Sequence, residues 1–185
     1  MAGNAMGWWR SEAEPSGRET ELSLLERELD DARSLERARV VLVRGPQGVG
    51  KSHLFALARQ ALAAKGAAIF EGASAREVKK SFGLFLPVLE QALEQLTHDG
   101  LPPDVLARLN TAVAAVQGKV PAPADRLAHF DALGEVCQLA SRRSAAFFFP
   151  DVEVADKSSQ ELLRYLLAVA TTPSNRSRAL FVVSL

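Results

Sequence analysis

Residues 40–54 read VVLVRGPQGVGKSHL, and this stretch decides the fold. Val40–Arg44 is a short β-branched run, the composition of a buried strand. Gly45-Pro46-Gln47-Gly48-Val49-Gly50-Lys51-Ser52 follows and satisfies G-x-x-x-x-G-K-[ST] at every position. Leu54–Ala64 then reads as a helix rich in Ala and Leu. Strand, glycine loop and helix in this order make a phosphate cradle. The glycines let the backbone wrap with its N–H groups pointing inward. The helix N-terminus adds positive potential, Lys51 a point charge, and the Ser52 hydroxyl a ligand for Mg²⁺. At average residue frequencies, a chance match in a chain of this length has odds of about 1%.

Working outward, strands and helices alternate. Gly17–Glu36 reads as a helix, with Leu22, Leu24, Leu25, Leu29, Ala32 and Leu35 at helical spacing. Ala67–Phe70, Ala145–Phe149 and Ala179–Leu185 read as further strands. Phe82–Leu96 is a helical pattern that Pro87 interrupts, and Asp104–Val116 is a helix announced by Pro102–Pro103. Asp125–Ser141 is a helix expected to turn Leu127, Phe130, Leu133, Val136 and Leu139–Ala140 inward, and Asp156 is the expected N-cap of a last helix ending at Ala170. This alternation implies an α/β fold with a parallel sheet flanked by helices, and ligands at the carboxyl ends of its strands. Residues 1–16 have no period and read as a flexible tail. Trp8 and Trp9 within it are either a clamp on the domain or a docking patch.

Composition narrows the classes. The 185 residues suit one domain and a tail. Twenty-two basic residues balance 22 acidic ones, which argues against binding nucleic acid or membrane through bulk charge. Cys137 is the only cysteine and is expected in the core, so no internal disulfide or cysteine-cluster zinc site can form. The three histidines share no metal spacing, Arg142–Arg143 reads as a solvated helix end, and no apolar stretch approaches the ~20 residues of a membrane span. A cytoplasmic location is the expectation.

The second half of a phosphate site is a strand ending in acids. Here Ala145–Phe149 runs into Pro150-Asp151-Val152-Glu153. The position for a Mg²⁺-orienting acid falls on Pro150. Asp151 is one step further, and strand alternation sends it to the other face, the place of a water-activating acid. Asp151 and Glu153 also read as solvated turn acids. No N-K-x-D guanine signature occurs.

These boxes resemble the bacterial AAA-type ATPase domain of the signal-transducing (STAND) and origin-recognition-like group. Gly17-Arg18-Glu19-Thr20-Glu21-Leu22 is similar to its opening G-R-E-x-E-L box, which implies Arg18 near the nucleotide base. Residues 40–54 match its first strand and P-loop, 82–93 and 126–140 resemble two of its helices, 151–167 its acidic box and helix, and 179–185 its sensor strand, with Ser184 where Thr is common. The resemblance covers residues 17–185, and its register again puts Pro150 on the first acid. It implies a three-layer P-loop core, here partial because lid, second sensor and fifth strand have no counterpart in these residues. The implied ligands are ATP and Mg²⁺. Gly45–Ser52, His53 and Arg18 would bind nucleotide, Ser52 and Asp151 metal, with Lys51 and Asp151 catalytic. The implied roles are an ATP-hydrolysing signalling switch, weak because of Pro150, or a nucleotide-binding interaction module that does not hydrolyse. A small-molecule kinase lacks an Arg-rich lid segment. Without a fifth strand, Val40–Arg44 is expected at a sheet edge, where it invites self-association, a protein partner or cover by the N-terminal segment.

Overall fold

The computed structural model describes residues 17–74 and 80–185, so the tail with Trp8 and Trp9 lies outside the described residues. Four parallel strands, β1 (Arg39–Val43), β2 (Ala68–Glu71), β3 (Ala145–Phe149) and β4 (Ala179–Ser184), form one sheet in the order β1-β4-β3-β2. Six helices flank it: α1 (Glu19–Leu35), α2 (Lys51–Ala64), α3 (Leu86–His98), α4 (Pro103–Gln117), α5 (Arg126–Ala140) and α6 (Lys157–Ala170).

Strand composition matches strand position. The central strands, AAFFF and ALFVVS, are buried at every residue, as parallel strands covered on both faces must be. The outer strands β1 and β2 are mostly half-exposed. Alternation then sorts side chains between two layers. Ala146, Phe148, Leu180 and Val182 pack against Leu25 and Leu29 of α1 and Leu54, Phe55, Ala58 and Leu62 of α2. Phe147, Phe149, Phe181 and Val183 face α3, α5 and α6, with α4 packed outside against α3 and α5. On this second face Phe70, Phe147 and Phe181 are register partners on three neighbouring strands. Their rings stack at 4.9 and 5.1 Å between centroids.

Several boundaries differ from the sequence reading. Pro87 does not interrupt a helix. It lies in the first turn of α3, where its missing N–H has no partner to lose. The helix after the glycine loop starts at Lys51, inside the motif. Leu127 is 60% exposed rather than inward. It sits six residues before Leu133, about 120° away around the helix at 100° per residue. Leu24 and Leu35 of α1 are likewise exposed, beside the buried stripe Leu25, Leu29 and Ala32. Cys137 is buried as expected, and burial pushes its thiol up to about 12, so it stays protonated. β1 pairs only with β4 among the described residues, with Leu42 half-exposed, as the edge expectation required.

Asp156 caps α6 as expected: its carboxylate accepts from the Ser159 N–H at 2.9 Å and the Ser159 hydroxyl at 2.6 Å. It also accepts the N–H groups of Phe82 and Gly83, at 3.1 and 3.2 Å. Phe82 adopts φ 59°, a left-handed conformation costly for an aromatic residue. One carboxylate therefore ties the segment entering α3 to α6. Asp156→Ala removes a cap and leaves two backbone donors without their acceptor. We expect a loss of about 2–3 kcal/mol, read as a melting temperature lower by about 4–12 °C.

Candidate nucleotide site

The chain leaves each strand at the same end of the sheet, and there the motif residues gather. Gly45–Gly50 form the turn between β1 and α2. Gly48 and Gly50 have φ of 85° and 92°, where a side chain would be strained. At Gly45 a Cβ would stand 2.9 Å from Cγ1 of Val49, so any side chain there would force Val49 to shift. The Val49 N–H donates to the Pro46 carbonyl at 3.3 Å, and the Leu54 N–H to the Gly50 carbonyl at 3.0 Å, starting the helix. Across the loop, Lys51 Nζ donates to the Gly45 carbonyl at 2.5 Å.

Lys51 stands between two cavities. The first is a cleft of about 460 Å³ over the strand ends. Lys51 and Ser52 line it from α2, Gly72, Ala73 and Ser74 from the exit of β2, Pro150 and Asp151 from the exit of β3, and Ser184 from the end of β4. The second is a groove of about 230 Å³ along β1, lined by Arg18, Glu21, Leu24, Val41–Arg44, Val49 and Lys51. The cleft is polar, with two acids and three serine hydroxyls in its lining; the groove is largely apolar.

The expected site residues fall unequally around these cavities. Arg18 lies just before α1, and its guanidinium donates to the Val49 carbonyl of the glycine loop and to Glu21 Oε1 at 2.8 Å. That hydrogen bond holds the Glu21 carboxyl below its usual range. Arg18 also stands 3.0 Å from where a Gly50 Cβ would be, although it is the left-handed φ of 92° that calls for glycine there. Arg18 of the N-terminal box and Val49 of the P-loop, 31 residues apart, are thus in direct contact. His53 is exposed on the first turn of α2 and lines neither cavity.

β3 ends at Phe149, and the proline after it has no N–H to continue the ladder. Asp151 follows in a left-handed conformation, φ 48° and ψ 44°, and opens a single 3-10 turn over Val152–Val154. The sequence placed Asp151 by extending strand alternation. The structure places it by a bend, because the strand has already ended. Its carboxylate still lines the cleft with Ser52, and it accepts from the Ser74 hydroxyl at 3.4 Å. Glu153 is exposed and lines neither cavity. Ser184, 3% exposed, closes the floor of the cleft.

Sequence reading missed Arg59 and Glu71. Both line the cleft, and they form an ion pair between α2 and the end of β2. The signal was present: Arg59 follows Ser52 and Phe55 at helical spacing, on the face that carries the motif.

A parallel α/β sheet whose first strand feeds a glycine-lined turn and a lysine at the helix start defines a P-loop nucleotide-binding protein. The comparison with known families specifies it further: a family model described as an AAA ATPase domain matches residues 14–183. The chain belongs to that family. No curated protein matches it. Membership makes this a nucleotide-binding AAA-type module, a class that usually works with Mg²⁺. Among the described residues no helix is long and apolar enough to cross a membrane. None of their His, Cys, Asp and Glu side chains form a cluster of three suited to a metal.

Proposed function

We propose that this chain is the ATP-binding module of a regulatory AAA/STAND-type ATPase, a nucleotide-dependent signalling switch with weak hydrolysis. The observation that carries the reading is Lys51 between the polar cleft and the apolar groove. A nucleotide has the same polarity, phosphates at one end and a flat base at the other. Gly45, Pro46, Gln47, Gly48, Val49 and Gly50 would form the loop, in which every residue but Pro46 carries an N–H group, with Lys51 supplying charge to the phosphates. The groove under Arg18 would take the base, against the apolar edges of Leu24 and Val49. Ser52 and Asp151 would hold Mg²⁺, which when bound neutralises phosphate charge. Asp151 would also orient the attacking water.

Weak hydrolysis follows from Pro150. It lines the cleft where an acid is expected, and it offers neither a carboxylate nor an N–H. Loss of an outer ligand contact at a metal commonly lowers affinity or activity about 10–100-fold. Pro150→Asp should therefore raise single-turnover ATP hydrolysis by about 10-fold or more, and Asp151→Asn should abolish what the unmodified chain retains. Rapid turnover by the unmodified chain would contradict the reading. Absence of turnover in both would favour the second reading, a nucleotide-binding interaction module that does not hydrolyse.

We also place a protein partner, or a second copy of the chain, at the open edge of β1. The support is a strand with one neighbour and a half-exposed Leu42. A cytoplasmic setting suits such a switch.

A further inference from the structure

The cleft holds a pair of charges that the nucleotide reading leaves without a task. Arg59 lies on α2 eight residues after Lys51 and seven after Ser52, and it lines the cleft with both. Ser52, Phe55 and Arg59 stand three and four residues apart, so they share a helix face. The Arg59 guanidinium pairs with the carboxylate of Glu71, the last residue of β2, which also lines the cleft. Lys51 and Arg59 are the two basic side chains on that wall among the described residues, and Glu71 and Asp151 the two acidic ones.

Three properties make this pair suited to exchange partners. Its side chains are 33% and 36% exposed. A pair so open to water contributes about 0–1 kcal/mol, so opening it is easy. Helical Cα–Cβ bonds tilt towards the helix N-terminus, so the long Arg59 side chain starts out leaning towards the P-loop end of α2. Ser52 and Arg59 are about 10 Å apart along the axis at 1.5 Å per residue, an interval that the lean and length of the arginine shorten. Finally, guanidinium is the side-chain group best matched to phosphate oxygens, which it can meet with two parallel hydrogen bonds. A diphosphate ends at the loop. A triphosphate carries one more charged group into the cleft.

We propose that Arg59 is the residue that distinguishes a nucleoside triphosphate from a diphosphate, with Glu71 as its resting partner. The terminal phosphate draws Arg59 off Glu71 because it offers more negative charge than one carboxylate. The proposal rests on the P-loop reading of residues 45–52, and the test separates the two.

Calorimetric titration of the full chain with a non-hydrolysable ATP analogue and with ADP, each with Mg²⁺, measures both affinities. Arg59→Gln should weaken the triphosphate about 10-fold, or 1.4 kcal/mol, and leave ADP within about twofold. Glu71→Gln, which releases the arginine, should tighten the triphosphate and leave ADP unchanged. Lys51→Ala should weaken both ligands. Equal loss of the two ligands in Arg59→Gln, or loss of neither, overturns the assignment while leaving the P-loop reading intact. Failure of the unmutated chain to bind either ligand overturns both. Should Arg59→Gln fail to fold, Arg59→Lys keeps the charge without the fork. It should then show a smaller loss confined to the triphosphate, and an unchanged ratio of affinities would refute the role.

Discussion

Lys51→Ala will erase the rise in melting temperature that ATP and Mg²⁺ produce in the unmodified chain. A ligand that binds only the folded state at 100 times its dissociation constant adds about 2.7 kcal/mol. For a domain of this size that corresponds to about 5–11 °C. The side chain removed is half-buried, and its one recorded hydrogen bond is to the Gly45 carbonyl. The residues on either side of Gly45, Arg44 and Pro46, are exposed, so water replaces the lost donor. The melting temperature without nucleotide should therefore move little. Lys51 is the residue common to the polar cleft and the apolar groove, so its removal acts on the phosphate end wherever the base sits. Differential scanning fluorimetry with and without ATP checks both halves of the expectation. A full ATP shift in Lys51→Ala would refute the placement of the phosphates.

The largest loss of stability is expected from Phe147→Ala. Phe147 is 0% exposed at the centre of β3, stacked between Phe70 of β2 and Phe181 of β4. Truncating a buried phenylalanine costs about 3–5 kcal/mol through lost transfer energy and the cavity left behind. Here two ring pairs are lost as well, each worth about 0.5–1.5 kcal/mol beyond its buried area. A domain holds only about 5–15 kcal/mol in total, so the variant should be largely unfolded or melt far below the parent. Phe147→Leu restores most of the volume without the stacking and should cost about 1–2 kcal/mol. Urea midpoints at constant slope measure the difference. A loss below about 1.5 kcal/mol for the alanine variant would mean that the surrounding layer collapses into the gap.

The central architecture was legible because two signals agree in the same residues. β3 and β4 are short, wholly apolar runs, which parallel strands covered on both sides must be. The glycine spacing of 45–50 admits one backbone path. Errors cluster where a residue's role depends on what lies opposite. Pro87 looked like a break because sequence does not show where a helix begins. Leu127 was assigned inward on hydrophobicity, although it stands off the stripe of Phe130, Leu133 and Val136. The candidate site divides in the same way. Gly45–Ser52 are contiguous, and a motif can state their geometry. For Asp151 the sequence reading carries strand alternation past Phe149, whereas the strand ends there and the left-handed backbone of Asp151 turns the chain. Arg59 and Glu71 are 12 residues apart on different elements and meet only after α2 packs beside β2. The hydrogen bonds from Phe82 and Gly83 to Asp156 span 74 and 73 residues. No local pattern announces such contacts.

The position of β1 has a consequence for how the molecule opens. In a parallel ladder successive residues direct their N–H and C=O groups alternately to one neighbour and the other. β3 has neighbours on both sides, so its amides are released only when the whole sheet comes apart. β1 has β4 alone among the described residues, and half of its amides have no strand to donate to. Deuterium should therefore enter Arg39–Val43 at two rates that alternate along the strand, while Ala145–Phe149 exchanges uniformly at the slow limit set by global unfolding. The strand that delivers the glycine loop is one of the two in the sheet with a single described neighbour, and a ligand seated in that loop would be felt first as slower exchange there.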